Sequence, residues 1–118
     1  MKNLTSFLLV MLALGLLAIP SHAGAKVDEK LTKQISDILA ECEKITTGTK
    51  RAKLLKVFTT EGGLSTAKHR TFVHRRCLCI KVDVDFNLSD AKQSLLDERP
   101  TDTISKISRP YLERSIID

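Results

Sequence analysis

Three cysteines, Cys42, Cys77 and Cys79, and two of the three histidines, His69 and His74, are the residues of this chain whose types and spacing could do chemistry. A cysteine acts as its thiolate, so it needs a neighbouring positive charge or a base to take its proton. Arg75, Arg76 and Lys81 flank Cys79, and His74 can approach it across a hairpin. That arrangement defines a small thiol enzyme or redox protein, with Cys79 as nucleophile and His74 as base. Against it stands an ordinary exposed strand histidine. The Cys-x-Cys spacing is neither a CxxC redox motif nor a cysteine-protease signature, which favours the plainer assignment.

Other chemistry finds less to work with. An offset of five residues sends His69 and His74 to opposite sides of a regular strand, so a metal site made with Cys79 lacks any closed ligand spacing. No metal and no cofactor is expected. Gly62-Gly63 lacks the lysine and the strand–loop–helix setting of a phosphate loop, and no serine nucleophile elbow is present. Asn87-Leu88-Ser89 matches a glycosylation sequon and reads better as a loop turn.

The cysteines acquire a second meaning from the start of the chain. Phe7 to Ile19 is an apolar run preceded by Lys2 and followed by the small residues Ser21 to Ala25. Its length suits a secretory leader and falls short of the roughly 20 residues that a membrane span needs. A signal peptide is therefore expected over 1–25, cleaved after Ala23 or Ala25, with one small domain over 26–118. The product is expected to be exported, periplasmic or secreted, with no integral membrane segment after processing. In an oxidising compartment, three cysteines give one bridge and one free thiol as the simplest count. Cys42–Cys77 is the preferred pairing; Cys42–Cys79 and no bridge at all are the alternatives. Closing a loop of about 35 residues would contribute roughly 3–4 kcal/mol in the chain-entropy picture.

Charge is unevenly placed along a chain of net charge +5. Lys50 to Lys81 carries nine basic residues against Glu61 alone, and acids predominate from Val82 onward. This could be a basic binding face, with Lys53, Arg75 and Arg76 as its contacts, or a solvated surface of cross-strand pairs. A protein partner in the cell envelope or outside is expected, and nucleic acid is not. The absence of Trp and the single Tyr111 argue against a stacking platform.

The elements that must position these residues follow from periodicity. Val27, Leu31, Ile35, Ile38, Cys42 and Ile45 share one face of a helix that stops at Thr46-Thr47-Gly48. Thr49 is the expected N-cap of a second helix over about 50–59, with Leu54, Leu55 and Phe58 inward and Gly62-Gly63 as its breaker. Ile80, Val82, Val84 and Phe86 then alternate with Lys81, Asp83 and Asp85, as in a half-buried strand. Arg70 to Arg75 is its expected partner across a turn without Gly or Asn, which leaves room for a bulge. A weak helical pattern runs from Asp90 to Leu96, with Gln93 reaching back to its start. Thr103 to Ser108 supplies a third strand, Pro110 limits further pairing, and Ile116-Ile117 lies near the end.

The order helix, Gly48-Thr49 turn, helix, Gly62-Gly63 and strand hairpin resembles the unit shared by SmpA/OmlA-type outer-membrane assembly proteins and β-lactamase inhibitory proteins. Leu54-Leu55, Thr71 to His74 and Val82 to Phe86 add to it. More closely, LLKVFTTEGGLST at 54–66, RRCLCIKVDVDF at 75–86 and ISRPYLE at 107–113 are similar to the core of a family of small uncharacterised exported bacterial proteins. That resemblance implies a bacterial source and a fold, and attaches no activity. This chain differs from the assembly group in having no cysteine at the cleavage junction, and from the inhibitors in having one unit and few aromatics.

The expected fold is α+β, with two N-terminal helices packed on a small antiparallel sheet of about three strands. Leu31, Ile35, Ile38, Leu54, Leu55, Phe58, Ile80, Val82, Val84 and Phe86 should face inward. The expected function is a non-enzymatic binding or adaptor module acting through a sheet edge and the basic face. The thiol reading, or inhibition of a secreted enzyme, is the alternative.

Overall fold

The computed structural model describes residues 24–115. The apolar leader, the Ala23 side of the first cleavage site and Ile116-Ile117 lie outside the described residues.

Helix α1 spans Glu29–Glu43. Asp28 caps it, its carboxylate accepting from the Leu31 N–H at 3.0 Å, a contact worth about 1 kcal/mol. Ile38 and Cys42 are its only buried side chains. Leu31 and Ile35, expected in the core, are exposed. The stripe is helical as its spacing predicts, but only its C-terminal half meets the sheet. Gly48, at φ +83°, then reverses the chain and donates its N–H to the Ile104 carbonyl at 2.7 Å.

Helix α2 is shorter than the spacing predicts, Arg51–Val57, and Lys50 rather than Thr49 is its N-cap. The physical reason is tertiary. The Arg51 and Ala52 N–H groups, which a cap would serve, instead donate to the carbonyls of Asp102 at 2.8 Å and Pro100 at 3.1 Å. The Thr49 hydroxyl accepts from Thr46 at 3.3 Å. At its other end Phe58 turns extended, with φ −112° and ψ 160°, while its N–H still reaches the Leu54 carbonyl. The branched Thr59 and Thr60 suit a strand better than a helix, so the chain enters β1 (Phe58–Thr60) without a loop.

The remaining strands are β2 (His69–His74), β3 (Cys77–Asn87), β4 (Thr103–Ile107) and β5 (Tyr111–Leu112). All pair antiparallel in the order β1-β2-β3-β4, with β5 also on β3. The sheet therefore has five strands, not three. The two unforeseen ones are the short β1 and the short β5, which resumes pairing just after Pro110. Central β3 puts Ile80, Val82, Val84 and Phe86 into one cluster with Ile38, Cys42, Ile45, Leu54, Phe58, Phe72 and Ile104. Leu55 packs at the rim of that cluster.

Two segments between strands depart from regular geometry. Arg75 and Arg76 form the tip of the β2–β3 hairpin, and no non-glycine residue among the described ones has positive φ. A tight primed turn needs positive φ, so the ladder takes up the mismatch elsewhere. Val73 faces Lys81 but His74 faces Cys77, leaving Leu78, Cys79 and Ile80 as a bulge. The stretch from Leu88 to Thr101 holds turns and no helix. Gln93 does not reach back to cap one; its amide donates to the Asp97 carbonyl at 2.5 Å and to both Asp102 oxygens at 3.1 Å. No helix among the described residues is long and apolar enough to cross a membrane.

Candidate functional site at the hairpin tip

The β2–β3 tip gathers most of the residues singled out from the sequence. His74, Arg75, Arg76 and Cys77 are consecutive there, and Glu41 of α1 reaches in beside Cys42. The Glu41 carboxylate accepts from Arg76 Nη2 at 2.5 Å and lies 3.1 Å from His74 Nε2. The Arg76 backbone N–H donates to His74 Nδ1 at 3.1 Å. A nitrogen that accepts carries no proton, so His74 is the neutral Nε2–H tautomer and donates to Glu41.

His74 is thus 1% exposed, packed edge-on against Phe58 with ring centroids 5.6 Å apart. That corrects the expectation of an exposed strand histidine. Nor does it serve Cys79 as a base, because both ring nitrogens are engaged elsewhere. The cations expected to activate Cys79 are engaged too. Arg75 Nε donates to the Leu55 carbonyl at 2.9 Å, near the C-terminus of α2. Arg76 holds Glu41, and the buried Lys81 is paired with Glu61 and Glu113. Cys79 is an exposed thiol at the bulge.

Electrostatics at the tip follow from these contacts. The Arg76 hydrogen bond, joined by that of His74, holds the Glu41 carboxyl below its ordinary range against the effect of burial. Burial, reinforced by the Glu41 charge, pushes the Cys42 thiol up. Cys42 is therefore a core thiol and a poor nucleophile at neutral pH. Cys42 belongs to the central cluster and Cys77 packs against it. No S–S bond joins the three cysteines.

The basic residues separate into two groups. Arg76 is neutralised by Glu41, whereas Lys50, Lys53 and Lys56 are exposed around α2 with no ion-pair partner among the described residues. Arg75 lies against the same helix. The short β1 continues directly from α2, and no strand covers its outer side among the described residues. The opposite margin of the sheet is less open, since Ile104 of β4 bonds to Gly48 and Thr49.

Periodicity did not reveal the buried ion network. Arg51 is 2% exposed and Asp102 0%. Asp102 accepts from Ser89 N at 3.0 Å, Ser89 Oγ at 3.1 Å, Arg99 N at 2.9 Å and Arg51 Nη2 at 3.3 Å, besides Gln93. Burial works against its charge, but the hydrogen bonds from Arg99, Ser89 and Gln93 outweigh it and hold its pKa below the usual range. Arg51 stacks 3.7 Å over the Phe86 ring and donates to the Ala67 carbonyl at 2.6 Å. The Asp102–Arg51 pair lies well away in sequence from the hairpin and serves to dock the 88–102 segment onto α2. A second polar group lies on the outer sheet face, where Thr71 and Tyr111 donate to Asp83 at 2.6 and 3.1 Å. His69 sits on that face too, 2.5 Å from Asp85.

Apolar exposure is the remaining surface signal. Leu31, Ile35 and Leu39 are 53%, 43% and 40% exposed, and Leu112 is 79% exposed. A groove of about 100 Å³ between α1 and β5 is lined by Ile35, Leu39, Ile80, Pro110, Tyr111 and Leu112. Comparison with protein-family models, with curated proteins and with solved structures gives no match.

Proposed function

We propose that this protein is an exported, non-enzymatic binding module that accepts an extended, acidic segment of a partner protein along β1. The observation that carries the proposal is the uncovered outer side of β1, which continues directly from the helix bearing Lys50, Lys53 and Lys56. An added strand takes affinity from main-chain hydrogen bonds, and nearby cations select an acidic one. The order of two helices followed by a hairpin, which the resemblance to the SmpA/OmlA and β-lactamase-inhibitor unit implies, supports a binding role. Inhibition of a secreted enzyme would use the same surface with a different partner. The thiol reading loses support because His74, Arg76 and Lys81 all have other partners.

We further infer that after export a disulfide oxidant of the oxidising compartment takes two electrons and two protons from Cys42 and Cys77, being itself reduced to a dithiol, so that one S–S bond forms and Cys79 is left free. The support is that the partly buried Cys77 packs against the central cluster to which Cys42 belongs, with Glu41, next to Cys42, already holding His74 and Arg76 at the tip.

Capture from envelope extract, followed by NMR titration with the captured segment, tests the binding role. Shifts centred on 58–60 are expected, with binding weakened by Lys53→Glu/Arg75→Glu and by Thr60→Pro. No captured partner, or binding indifferent to these changes, would refute it.

A further inference from the structure

Arg51 of α2 and Arg70 of β2 converge on a single carboxylate, that of Glu98. Arg70 Nη1 donates to one of its oxygens at 2.6 Å, and Arg51 Nη1 lies 3.4 Å from the other. The two arginines offer more than Glu98 uses. Arg51 Nε and Nη1 and Arg70 Nε are buried nitrogens with no hydrogen-bond partner among the described residues. Folded proteins rarely leave buried donors open, so such a group calls for a ligand, an ion or water. Burial also outweighs the support of Glu98 and Asp102 and holds the Arg51 guanidinium below its ordinary range.

The arginines are fixed in place, whereas Glu98 is not. Arg51 is clamped between the Phe86 ring, the Ala67 carbonyl and Asp102. Arg70 belongs to a strand, opposite Val84. Glu98 lies in the turns between Leu88 and Thr101, and among the described residues its carboxylate meets only these two arginines. Its neighbours hold the loop without it, since Asp97 pairs with Arg99 and Asp102 holds Ser89, Gln93 and Arg99. The Glu98 side chain can therefore swing out while the loop stays docked. Arg70 and Glu98 are 21% and 26% exposed, so their junction opens to solvent.

We propose that Arg51 and Arg70 form a carboxylate-binding site, which Glu98 fills until an acidic side chain of a bound partner segment replaces it. The identity of that segment rests on the strand addition proposed above. Arg70 Nη2 reaches the carbonyl of Glu61, the residue after β1, at 3.5 Å, which puts the site at the end of the docking edge. Phe58 and Phe72 both enter the core, so Thr60 and Arg70, each two residues away, share their face of the sheet. A partner residue opposite Thr60 points its side chain to that same face. Two strand spacings, about 10 Å, then separate it from β2, a gap that a glutamate and an arginine span together. One carboxylate leaves as another arrives, so the buried Arg51 keeps its counter-ions throughout. The α2 lysines attract an acidic segment, and the arginine forks, which match a carboxylate in shape, select its register.

NMR titration of the chain expressed and exported with its own leader tests the site with three probes. Two are blocked peptides of alternating threonine and valine, one with a central glutamate and one with glutamine in its place. The third is glutarate. The glutamate peptide should shift the Arg70 Nε–H together with the amides of 58–60, and bind several-fold tighter than its glutamine twin. Glu98→Gln should tighten the glutamate peptide roughly tenfold by removing the internal competitor, and leave the glutamine peptide unchanged. Arg70→Gln should abolish the preference between the two. Circular dichroism checks folding, and Glu98→Asp, one methylene shorter, replaces Glu98→Gln if that variant does not fold. An Arg70 Nε–H that neither the glutamate peptide nor glutarate moves overturns the site, even where shifts at 58–60 show that strand addition stands. A Glu98 variant that binds the glutamate peptide no tighter than the wild type also overturns it. Glutarate that moves the Arg70 Nε–H, and does so more readily in the Glu98 variant, upholds the site even where no peptide shifts 58–60, an outcome that would refute the strand reading alone.

Discussion

Asp102 and Glu41 each tie distant stretches of chain together, Asp102 from inside the molecule and Glu41 from its rim. Asp102 is fully buried and holds Ser89, Gln93 and Arg99 of one loop while meeting Arg51 of α2. Glu41 is part-exposed and joins α1 to His74 and Arg76 of the hairpin. Both carboxyls are held below their ordinary range by hydrogen bonds. They differ in what water can do when the carboxylate is lost. At the rim, solvent re-enters and satisfies the donors. Inside, it cannot.

The largest effect should therefore come from Asp102→Asn. It leaves the buried Arg51 charge with Glu98, 3.4 Å away, as its remaining carboxylate partner and weakens the acceptor that holds Ser89, Gln93 and Arg99, and should cost about 3 kcal/mol. Each kcal/mol lowers the Tm of a domain this size by about 4–8 °C. Arg51→Met should cost less, because Asp102 keeps the donors of Ser89, Gln93 and Arg99 while the apolar replacement still covers Phe86. Two of the Arg51 nitrogens, Nε and Nη1, make no hydrogen bond, Nη1 meeting the part-exposed Glu98 only as an ion pair at 3.4 Å, so fewer bonds are lost with it. Thermal unfolding of the two variants decides the asymmetry. A larger loss for Arg51→Met would show that the arginine, not the carboxylate, organises the loop.

Acid should shrink the difference. The folded pKa of Asp102 lies below its unfolded value, so its stabilisation is complete above the unfolded value of about 3.9 and disappears as pH falls through the folded one. The gap between wild type and Asp102→Asn should hold constant from neutral pH down to about 5 and close below about 4. Urea unfolding across that range reads it directly. A gap that stays open in acid would mean that shape rather than charge is what Asn fails to reproduce.

Much of this arrangement was legible in the residues, and the rest was hidden for identifiable reasons. The alternation Ile80, Val82, Val84, Phe86 placed β3 correctly because a half-buried strand leaves a period of two. The stripe on α1 gave the helix correctly but not its burial, since periodicity records which side is apolar and not what covers it. Leu31 and Ile35 were misplaced for that reason. Thr49 looked like a cap because local chemistry allows it, yet the distant carbonyls of Pro100 and Asp102 served the same donors. Phe58 to Thr60 hid a strand because the glycine pair after it was the stronger signal. Asp102 stood unmarked between Thr101 and Thr103. An isolated aspartate in a polar stretch gives no sign that donors from a loop and a helix will converge on it. His74 was recognised as important at the tip, with the wrong role, because its burial depends on Glu41 from a separate helix.

The proposed bridge sharpens the contrast at the rim. If Cys42 and Cys77 are joined after export, Cys77→Ser should cost roughly 2–4 kcal/mol under oxidising conditions and much less in reductant. Peptide mapping without reduction should find Cys42 linked to Cys77 and Cys79 open to alkylation. Two alkylated core thiols, or a link from Cys42 to Cys79, would remove the staple from this corner and leave Glu41 as its main polar tie.

Glu41→Gln should have the smallest effect of the set. The amide carbonyl that replaces the carboxylate still accepts from His74 Nε2–H, and Arg76 loses its counter-ion where water can solvate it. The fall in Tm should be well short of that for Asp102→Asn and should diminish further in high salt. Amide exchange should rise at the tip residues Arg75 and Arg76 while the amides of Ser89 and Arg99 stay as protected as before, since Asp102 holds those independently. A loss matching that of Asp102→Asn would mean that burial does not distinguish the two carboxylates. The hairpin tip would then be as much a part of the core as the loop around Asp102.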